Sequence, residues 1–157
     1  MICDCFESPL GRMQLCCDGH FLTAITFYGQ KYEDTHILKD VTYQSHPVLE
    51  EAKVWLSQYF QGNIPTFLPA MKPSGTPFQQ KVWDLLLQIP YGKTITYGEL
   101  AQQLGCKSAQ AVGGAVGRNP ISILIPCHRV MGADGKLTGY VGGLEKKEFL
   151  LLFEKSY

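Results

Sequence analysis

The chain has 157 residues, 45% of them hydrophobic, with 14 basic side chains balanced by 14 acidic ones. That is the size of one large domain or two small ones with enough apolar content for a sizeable core, and zero net charge argues against nucleic-acid binding by bulk electrostatics alone. No run approaches the ~18 apolar residues of a membrane span, and the first residues carry Asp4 where a secretory signal is basic, so a cytoplasmic protein is expected, nuclear in a eukaryote, with no membrane partner.

The charge is unevenly spread. Residues 1–71 hold four Lys/Arg and eight Asp/Glu, a balance of −4, while residues 72–157 hold ten and six, a balance of +4. An anionic partner would meet the second half. Six cysteines (Cys3, Cys5, Cys16, Cys17, Cys106, Cys127) without a Cys-x-x-Cys pair, in a chain large enough to fold without staples, predict reduced thiols and lack the usual zinc-ribbon or thioredoxin spacing.

In chain order, Met1 to Phe6, Arg12 to Cys17 and His20 to Phe27 read as strands, punctuated by the turn sequences Ser8-Pro9-Leu10-Gly11 and Asp18-Gly19. Residues 28–46 read as irregular. Apolar positions Val48, Leu49, Ala52, Leu56 and Phe60 then recur at helical spacing from Pro47, with Gly62 as a stop. The segment 61–75 carries Pro65, Pro69 and Pro73 without periodicity, so a boundary is expected near residue 73, giving domains 1–72 and 73–157.

Thr76-Pro77-Phe78-Gln79 combines a cap, a proline at the first helical position and a glutamine three residues after the cap. Phe78, Val82, Leu85, Leu86 and Ile89 should form the buried face of this helix, with Pro90-Tyr91-Gly92 ending it. The same grammar returns at Thr96-Tyr97-Gly98-Glu99, opening a short helix through Leu104 with Gly105 past its end, and Ser108 can cap a third from Ala109 to Gly117. Two short helices across a glycine-containing turn have the shape of a helix-turn-helix. In the third, Ala111, Gly113, Gly114, Ala115 and Gly117 leave little bulk, which suits either close approach of a nucleic-acid groove or tight packing inside the protein.

An apolar run, Ile121 to Ile125, leads into Pro126-Cys127-His128-Arg129-Val130. Neighbouring His128 and Arg129 suggest an electropositive surrounding that lowers the Cys127 thiol pKa and favours the nucleophilic thiolate, although adjacent residues of an extended strand point to opposite faces and need not touch.

Gly113-Gly114-Ala115, Asn119-Pro120, Ile123-Leu124-Ile125-Pro126-Cys127-His128-Arg129-Val130 and Thr138-Gly139-Tyr140-Val141-Gly142-Gly143-Leu144 occur in one order, and this string resembles the O6-alkylguanine-DNA alkyltransferases. The likeness is closest from Thr76 to Glu154, and the Ser8–Gly11 turn with its strands is similar to the family's amino-terminal domain. The resemblance implies an α+β fold: a small antiparallel sheet with a helix, ribonuclease H-like, followed by a mainly helical domain with a helix-turn-helix. It implies direct DNA repair by stoichiometric, irreversible transfer of an alkyl group to Cys127 from O6-alkylguanine, with O4-alkylthymine as a second candidate substrate. His128 would relay the thiol proton, through a water, toward Glu154. Tyr97 would contact the guanine and donate a proton as it leaves, Asn119 would hold the active-site segment, and the Cys127 and Val130 carbonyls would accept from the guanine amino group. Arg129 reads as structural.

Gln110, Ala111, Gly113, Gly114, Ser122, Tyr140 and Val141 complete the implied substrate contacts, with double-stranded DNA bound through its minor groove by a monomer and the damaged base flipped out. Gln110 stands where many members have arginine, Ser122 where some have proline and Val141 where some have serine, which puts flipping efficiency and alkyl range in question. Some members hold a structural zinc; Cys3, Cys5, Cys16, Cys17 and His20 do not reproduce that spacing, so neither metal nor cofactor is expected. Two other readings are a lesion-recognising protein of the alkyltransferase-like type, whose relatives lack the acceptor cysteine, and a thiol hydrolase using Cys127 and His128.

Overall fold

A computed structural model describes residues 1–29 and 41–155 of the chain. Strands β1 (Ile2–Ser8), β2 (Gly11–Cys17) and β3 (Leu22–Phe27) form an antiparallel meander, and β4 (Thr42–Tyr43) adds in parallel beside β1, giving the order β3-β2-β1-β4. The hairpin turns follow from their residues. Ser8 Oγ donates to the Gly11 carbonyl at 2.7 Å and accepts from the Leu10 amide at 3.1 Å, while Gly11 takes φ of 109°, a region open to glycine at no steric cost. The Asp18 carboxylate accepts from the amides of His20 and Phe21 at 2.9 and 2.8 Å. The two residues of β4 fall within the stretch read as irregular, a strand too short for periodicity to reveal; the rest of that reading, residues 30–40, lies outside the described residues.

Helix α1 (Pro47–Phe60) is capped by the His46 ring, which accepts from the Val48 amide at 3.2 Å, and it stops before Gly62, whose φ is 87°. Its buried stripe, Leu49, Ala52, Trp55, Leu56 and Tyr59, packs on the sheet face that carries Met13, Leu15 and Ile25. The Lys53 ammonium fixes the helix to β1 through Asp4 at 2.5 Å.

The expectation of six reduced thiols is corrected here. The β1–β2 register sets Cys3 directly opposite Cys16, their Cα atoms are 4.2 Å apart, and the two are joined as a disulfide. Sequence spacing could not reveal the partnership, because it depends on hairpin register.

The described residues form two compact units. One contains Met1–Ser74 together with Pro120–Ser122; the other contains Gly75–Asn119 and the chain from Ile123 onward. Residues 120–122 join the first unit through the Ile25 amide, which donates to Pro120, and the Ile25 carbonyl, which accepts from Ser122.

The second unit is mainly helical: α2 (Pro77–Leu86), α3 (Tyr97–Gln103), α4 (Ala109–Gly117) and α5 (Leu144–Phe153), with one short parallel pair, β5 (Ile95–Thr96) and β6 (Val130–Met131). Both predicted capping boxes form. Thr76 accepts from the Gln79 amide at 3.1 Å and Thr96 from the Glu99 amide at 3.0 Å, and each partner side chain returns a bond to the cap's own amide. Val82, Leu86 and Ile89 are buried as expected, but Phe78 and Leu85 remain partly exposed. Trp83 takes the central place instead, fully buried, with Nε1 donating to the Ala115 carbonyl at 2.9 Å and so pinning α4 to α2. The alternating fold class of the two halves, sheet with helix and then mainly helix, is the one expected from the residues.

Thr76→Ala removes a cap that satisfies a helix amide, and unfolding free energy should fall by about 1 kcal/mol. The measurement is a urea midpoint against the parent; an unchanged midpoint would show that the first turn of α2 is held by something else.

Candidate active site

Cys127 opens a single 3-10 turn, Cys127–Arg129, that leads directly into β6. The pairing of Ile95 with Val130 and Thr96 with Met131 carries Tyr97, the first residue of α3, to the same place. Upstream, Ile123 takes φ of 71°, a left-handed conformation that costs a β-branched residue on the order of 1–3 kcal/mol. The buried Asn119 side chain reaches across this segment and donates to the Ile125 carbonyl at 2.8 Å, fixing the loop that presents Cys127.

His128, Arg129 and Glu154 form one buried cluster. Glu154 caps the end of α5, and its side chain turns inward. Its carboxylate meets His128 Nε2 at 2.7 Å and accepts from Arg129 Nε at 2.8 Å and Nη2 at 3.1 Å. The remaining Arg129 nitrogen donates to the Ile89 carbonyl at 2.8 Å, with the Tyr91 ring beneath the guanidinium. Burial pulls the Glu154 carboxyl upward, but the hydrogen bonds from His128 and Arg129 outweigh it and hold the group at about 2. Arg129 supplies the counter-charge, so His128 can stay neutral, and its burial pushes the imidazole pKa down. A neutral ring that donates Nε2–H to an ionised Glu154 leaves Nδ1 as an acceptor, and that nitrogen is buried with no protein partner.

Adjacency misjudged the thiol. Burial pushes the Cys127 pKa up rather than down, with hydrogen bonding by Asn119 and the charge of Lys147 opposing it. His128 is neutral and the Arg129 charge is spent on Glu154, so neither neighbour supplies the expected field. The cation that acts on Cys127 is Lys147, a residue that sequence reasoning passed over. It is fully buried, and its ammonium donates to the carbonyls of Val130 at 2.5 Å, Thr138 at 2.6 Å and Gly139 at 3.1 Å. Desolvation draws its pKa down to about 8, yet three donors matched to three carbonyls keep the ammonium form favoured at neutral pH. In Leu144-Glu145-Lys146-Lys147-Glu148 this lysine looks like one of several solvated charges; only tertiary burial singles it out.

Tyr97 is half-buried, close to Lys147, whose nitrogen lies 5.8 Å from the ring centre. Burial raises its pKa, a hydrogen bond with Thr138 lowers it, and Cys127 raises it. Gly113 and Gly139 lie against the same ring: a Cβ at Gly113 would stand 3.7 Å from it and one at Gly139 4.0 Å from the hydroxyl. The structure thus gathers Tyr97, Asn119, Cys127, His128, Val130 and Glu154 in the second unit. Gln110, Ala111 and Gly114 are exposed on α4, and a Cβ at Gly114 or Gly117 would meet nothing within 4 Å. Internal packing therefore does not account for those two glycines. Tyr140 is half-buried and Val141 buried in the loop before α5, whereas Ser122 belongs to the first unit, its hydroxyl buried without a protein partner. The Val130 carbonyl, expected to face the guanine, already accepts from Lys147 and keeps one lone pair. Among the described residues no group of three or more His, Cys, Asp or Glu is placed to hold a metal ion, and no helix is long and apolar enough to cross a membrane.

Two short helices, α3 and α4, beside a buried cysteine, a histidine and a fixed carboxylate define a class of protein suited to thiol chemistry, and comparison with known proteins supplies the family. Residues 77–156 match the 6-O-methylguanine DNA methyltransferase DNA-binding domain, and residues 1–68 match the ribonuclease-like domain of the same proteins. The chain is 45% identical to a methylated-DNA–protein-cysteine methyltransferase of Haemophilus influenzae over 96% of this chain and 84% of that one, and 45% identical to one of Methanosarcina acetivorans over 96% of each. The structure of the Mycobacterium tuberculosis protein solved in complex with DNA superposes with a TM-score of 0.90 at 42% identity, covering 99% of this chain and 94% of that one. The chain belongs to the 6-O-methylguanine DNA methyltransferase family.

Because the Glu154 pKa is depressed in the fold, from 4.5 to about 2, its contribution to stability is complete above pH 4.5 and is lost as pH falls toward 2. Between those values the unfolded chain binds the extra proton, so stability rises with pH, by roughly 3 kcal/mol over the whole window. Chemical denaturation across that range should show the slope in the parent and lose this component in Glu154→Gln; an equal slope in both proteins would assign it to other carboxylates.

Proposed function

We propose that this protein repairs DNA directly, by moving the alkyl group of an O6-alkylguanine onto Cys127 in a single irreversible turnover. The observation that carries the reading is the polarised cluster behind the cysteine: ionised Glu154 orients His128 so that Nδ1 is left as a buried acceptor with no protein partner. Family membership and relatives named as methylated-DNA–protein-cysteine methyltransferases across nearly the whole chain support the substrate class.

The reaction follows from the charges. The Cys127 thiol, protonated at rest, gives its proton through one bridging water to His128 Nδ1. The sulfur attacks the alkyl carbon, a carbon–sulfur bond forms, and the bond from that carbon to the guanine oxygen breaks. Glu154 stabilises the resulting imidazolium without taking the proton, since Arg129 holds it ionised. Tyr97 donates a proton to the departing base as negative charge accumulates there, and Lys147 adds positive charge nearby. The product is a thioether, with no group that could return the thiol. No cofactor enters these steps.

DNA is the partner, met by α4, whose exposed Gln110, Ala111 and Gly114 present a low-profile surface. That profile suits the narrow minor groove, where base-edge readout is degenerate and a lesion reader gains from indifference to sequence. The protein acts as a monomer, and Gln110 fills part of the space left by the flipped base without contributing charge.

The test is to incubate the protein with an oligonucleotide carrying O6-methylguanine and weigh both products. A gain of about fourteen daltons on the peptide containing Cys127, one methyl replacing one thiol hydrogen, with restored guanine in the DNA, is expected. Binding without mass gain would favour the alkyltransferase-like reading. Cys127→Ser should keep DNA binding and lose transfer, and Tyr97→Phe should slow single-turnover transfer on the order of 10²-fold. Gln110→Arg should speed transfer from duplex DNA while leaving transfer from free O6-methylguanine base unchanged; equal effects on both substrates would detach this position from flipping.

A further inference from the structure

Cys3, Cys5 and Cys16 lie together on the sheet face that α1 does not cover. Asp4 points to Lys53 on α1, so the odd-numbered residues of β1 face the other way, and the register sets Cys3 opposite Cys16 and Cys5 opposite Gln14. Cys5 is therefore the next residue along the face from Cys3 and diagonal to Cys16. The two bonded cysteines are closed to solvent, packed with Ala24 and flanked by Val41. Cys5 is a free, partly exposed thiol. Its sulfur lies 3.3 Å from the Tyr28 hydroxyl, whose pKa is raised to about 12, first by that hydrogen bond, so the phenol stays protonated and able to donate. The exposed Arg12 guanidinium, paired with Glu7 at 2.8 Å, lies over the Tyr28 ring. A phenolic hydroxyl thus stands within hydrogen-bond reach of the one sulfur of the three that a dissolved reagent can reach.

We infer that Cys5, Cys3 and Cys16 form a thiol–disulfide exchange relay, in which Cys5 takes up oxidising equivalents from a low-molecular-weight disulfide and passes them to the buried Cys3–Cys16 pair. The Cys5 thiol attacks the small disulfide, forming a mixed disulfide and releasing one small thiol. Cys16 attacks the Cys5 sulfur, and the second small thiol leaves. Cys3 then attacks the Cys16 sulfur, which closes the Cys3–Cys16 bond and restores the Cys5 thiol. Two protein thiols are oxidised and one small disulfide is reduced to two thiols; the reverse sequence opens the pair. Diagonal partners on an antiparallel ladder have Cα atoms about 7–8 Å apart, so the intermediate requires a small local shift that the opened, reduced pair permits. Cys17 faces the α1 side of β2 and does not compete. Closing the pair links strands 13 residues apart in sequence and should raise the melting temperature of the first unit by roughly 5–10 °C.

The experiment uses the full chain, fully reduced and then placed in buffers of reduced and oxidised glutathione, with thiols trapped by acid and alkylation at timed intervals. Trypsin cleavage after Arg12 leaves Cys3 with Cys5 and Cys16 with Cys17, so the linked cysteines are reduced and tagged with a second alkylating reagent, and fragment ions from tandem mass spectrometry locate each tag and hence each link. The parent should accumulate the Cys3–Cys16 peptide. Cys5→Ser and Cys5→Ala should reach the same end point at least tenfold more slowly, and Cys3→Ser should stop at a Cys5–Cys16 link. Formation at the parental rate in both Cys5 variants would remove Cys5 from the pathway, and absence of any Cys3–Cys16 link at every glutathione ratio would overturn the proposal as a whole. Neither outcome depends on alkyl transfer at Cys127.

Discussion

A single buried carboxylate, Glu154, organises the second unit of this protein. An ionised group in a low-dielectric interior costs several kcal/mol unless it is fully paired, and here two side chains share that task. Arg129 meets the carboxylate with two nitrogens and has a third left for the Ile89 carbonyl, so one guanidinium ties the end of α5, the turn after Cys127 and the residues following α2 into a fixed triangle. His128 is held by what Arg129 leaves over. The arrangement separates two roles that the sequence sets side by side: Arg129 fixes the charge state of the carboxylate, and the carboxylate then fixes the tautomer of the histidine.

From this follows the resting state of the nucleophile. A cysteine flanked by two charged residues would carry an exposed, permanently activated thiolate, vulnerable to any oxidant. Here burial raises the thiol pKa, the histidine is neutral, and the arginine charge is neutralised. On the proposed reading, activation coincides with substrate arrival, when the developing charge on the leaving base makes proton transfer toward His128 favourable. A protein whose acceptor sulfur reacts once per molecule gains from such reserve. Lys147 is the standing electrostatic contribution, its charge supported by carbonyls rather than by a carboxylate that would cancel it.

Local grammar was legible in the sequence; tertiary partnership was not. Thr76 with Gln79 and Thr96 with Glu99 form their boxes because a capping box is closed within four residues. Strands β1 to β3 and helices α1 to α4 could be read for the same reason, whereas the two-residue strands β4, β5 and β6 and the helix α5 were not read. Trp83 displaced Phe78 and Leu85 in the buried face because its indole has a distant carbonyl to satisfy, a demand that helical periodicity does not encode. The Cys3–Cys16 bond depends on strand register, Lys147 looks solvated beside Glu145, Lys146 and Glu148, and Glu154 looks like a frayed helix end until Arg129 is placed against it. The string around Cys127 named its candidate residues through resemblance, while a cationic neighbourhood from adjacent side chains would have lowered a thiol pKa that burial in fact raises.

The small-residue helix shows how the fold accommodates what its surface needs. Glycines at 113, 114 and 117 each cost α4 roughly 1 kcal/mol of helix propensity relative to alanine. The loss at Gly114 and Gly117 is not recovered by packing, since a methyl group at either would meet only open space. It is offset by anchors elsewhere on the same helix: the Ser108 hydroxyl caps the first turn, the Trp83 indole holds the Ala115 carbonyl, and Val112, Ala115 and Val116 are buried on the inner face. Stability is concentrated on one side of α4 so that the other can stay bare. A methyl group at Gly114 would leave the fold unstrained, so any penalty it imposes must fall on what approaches from outside.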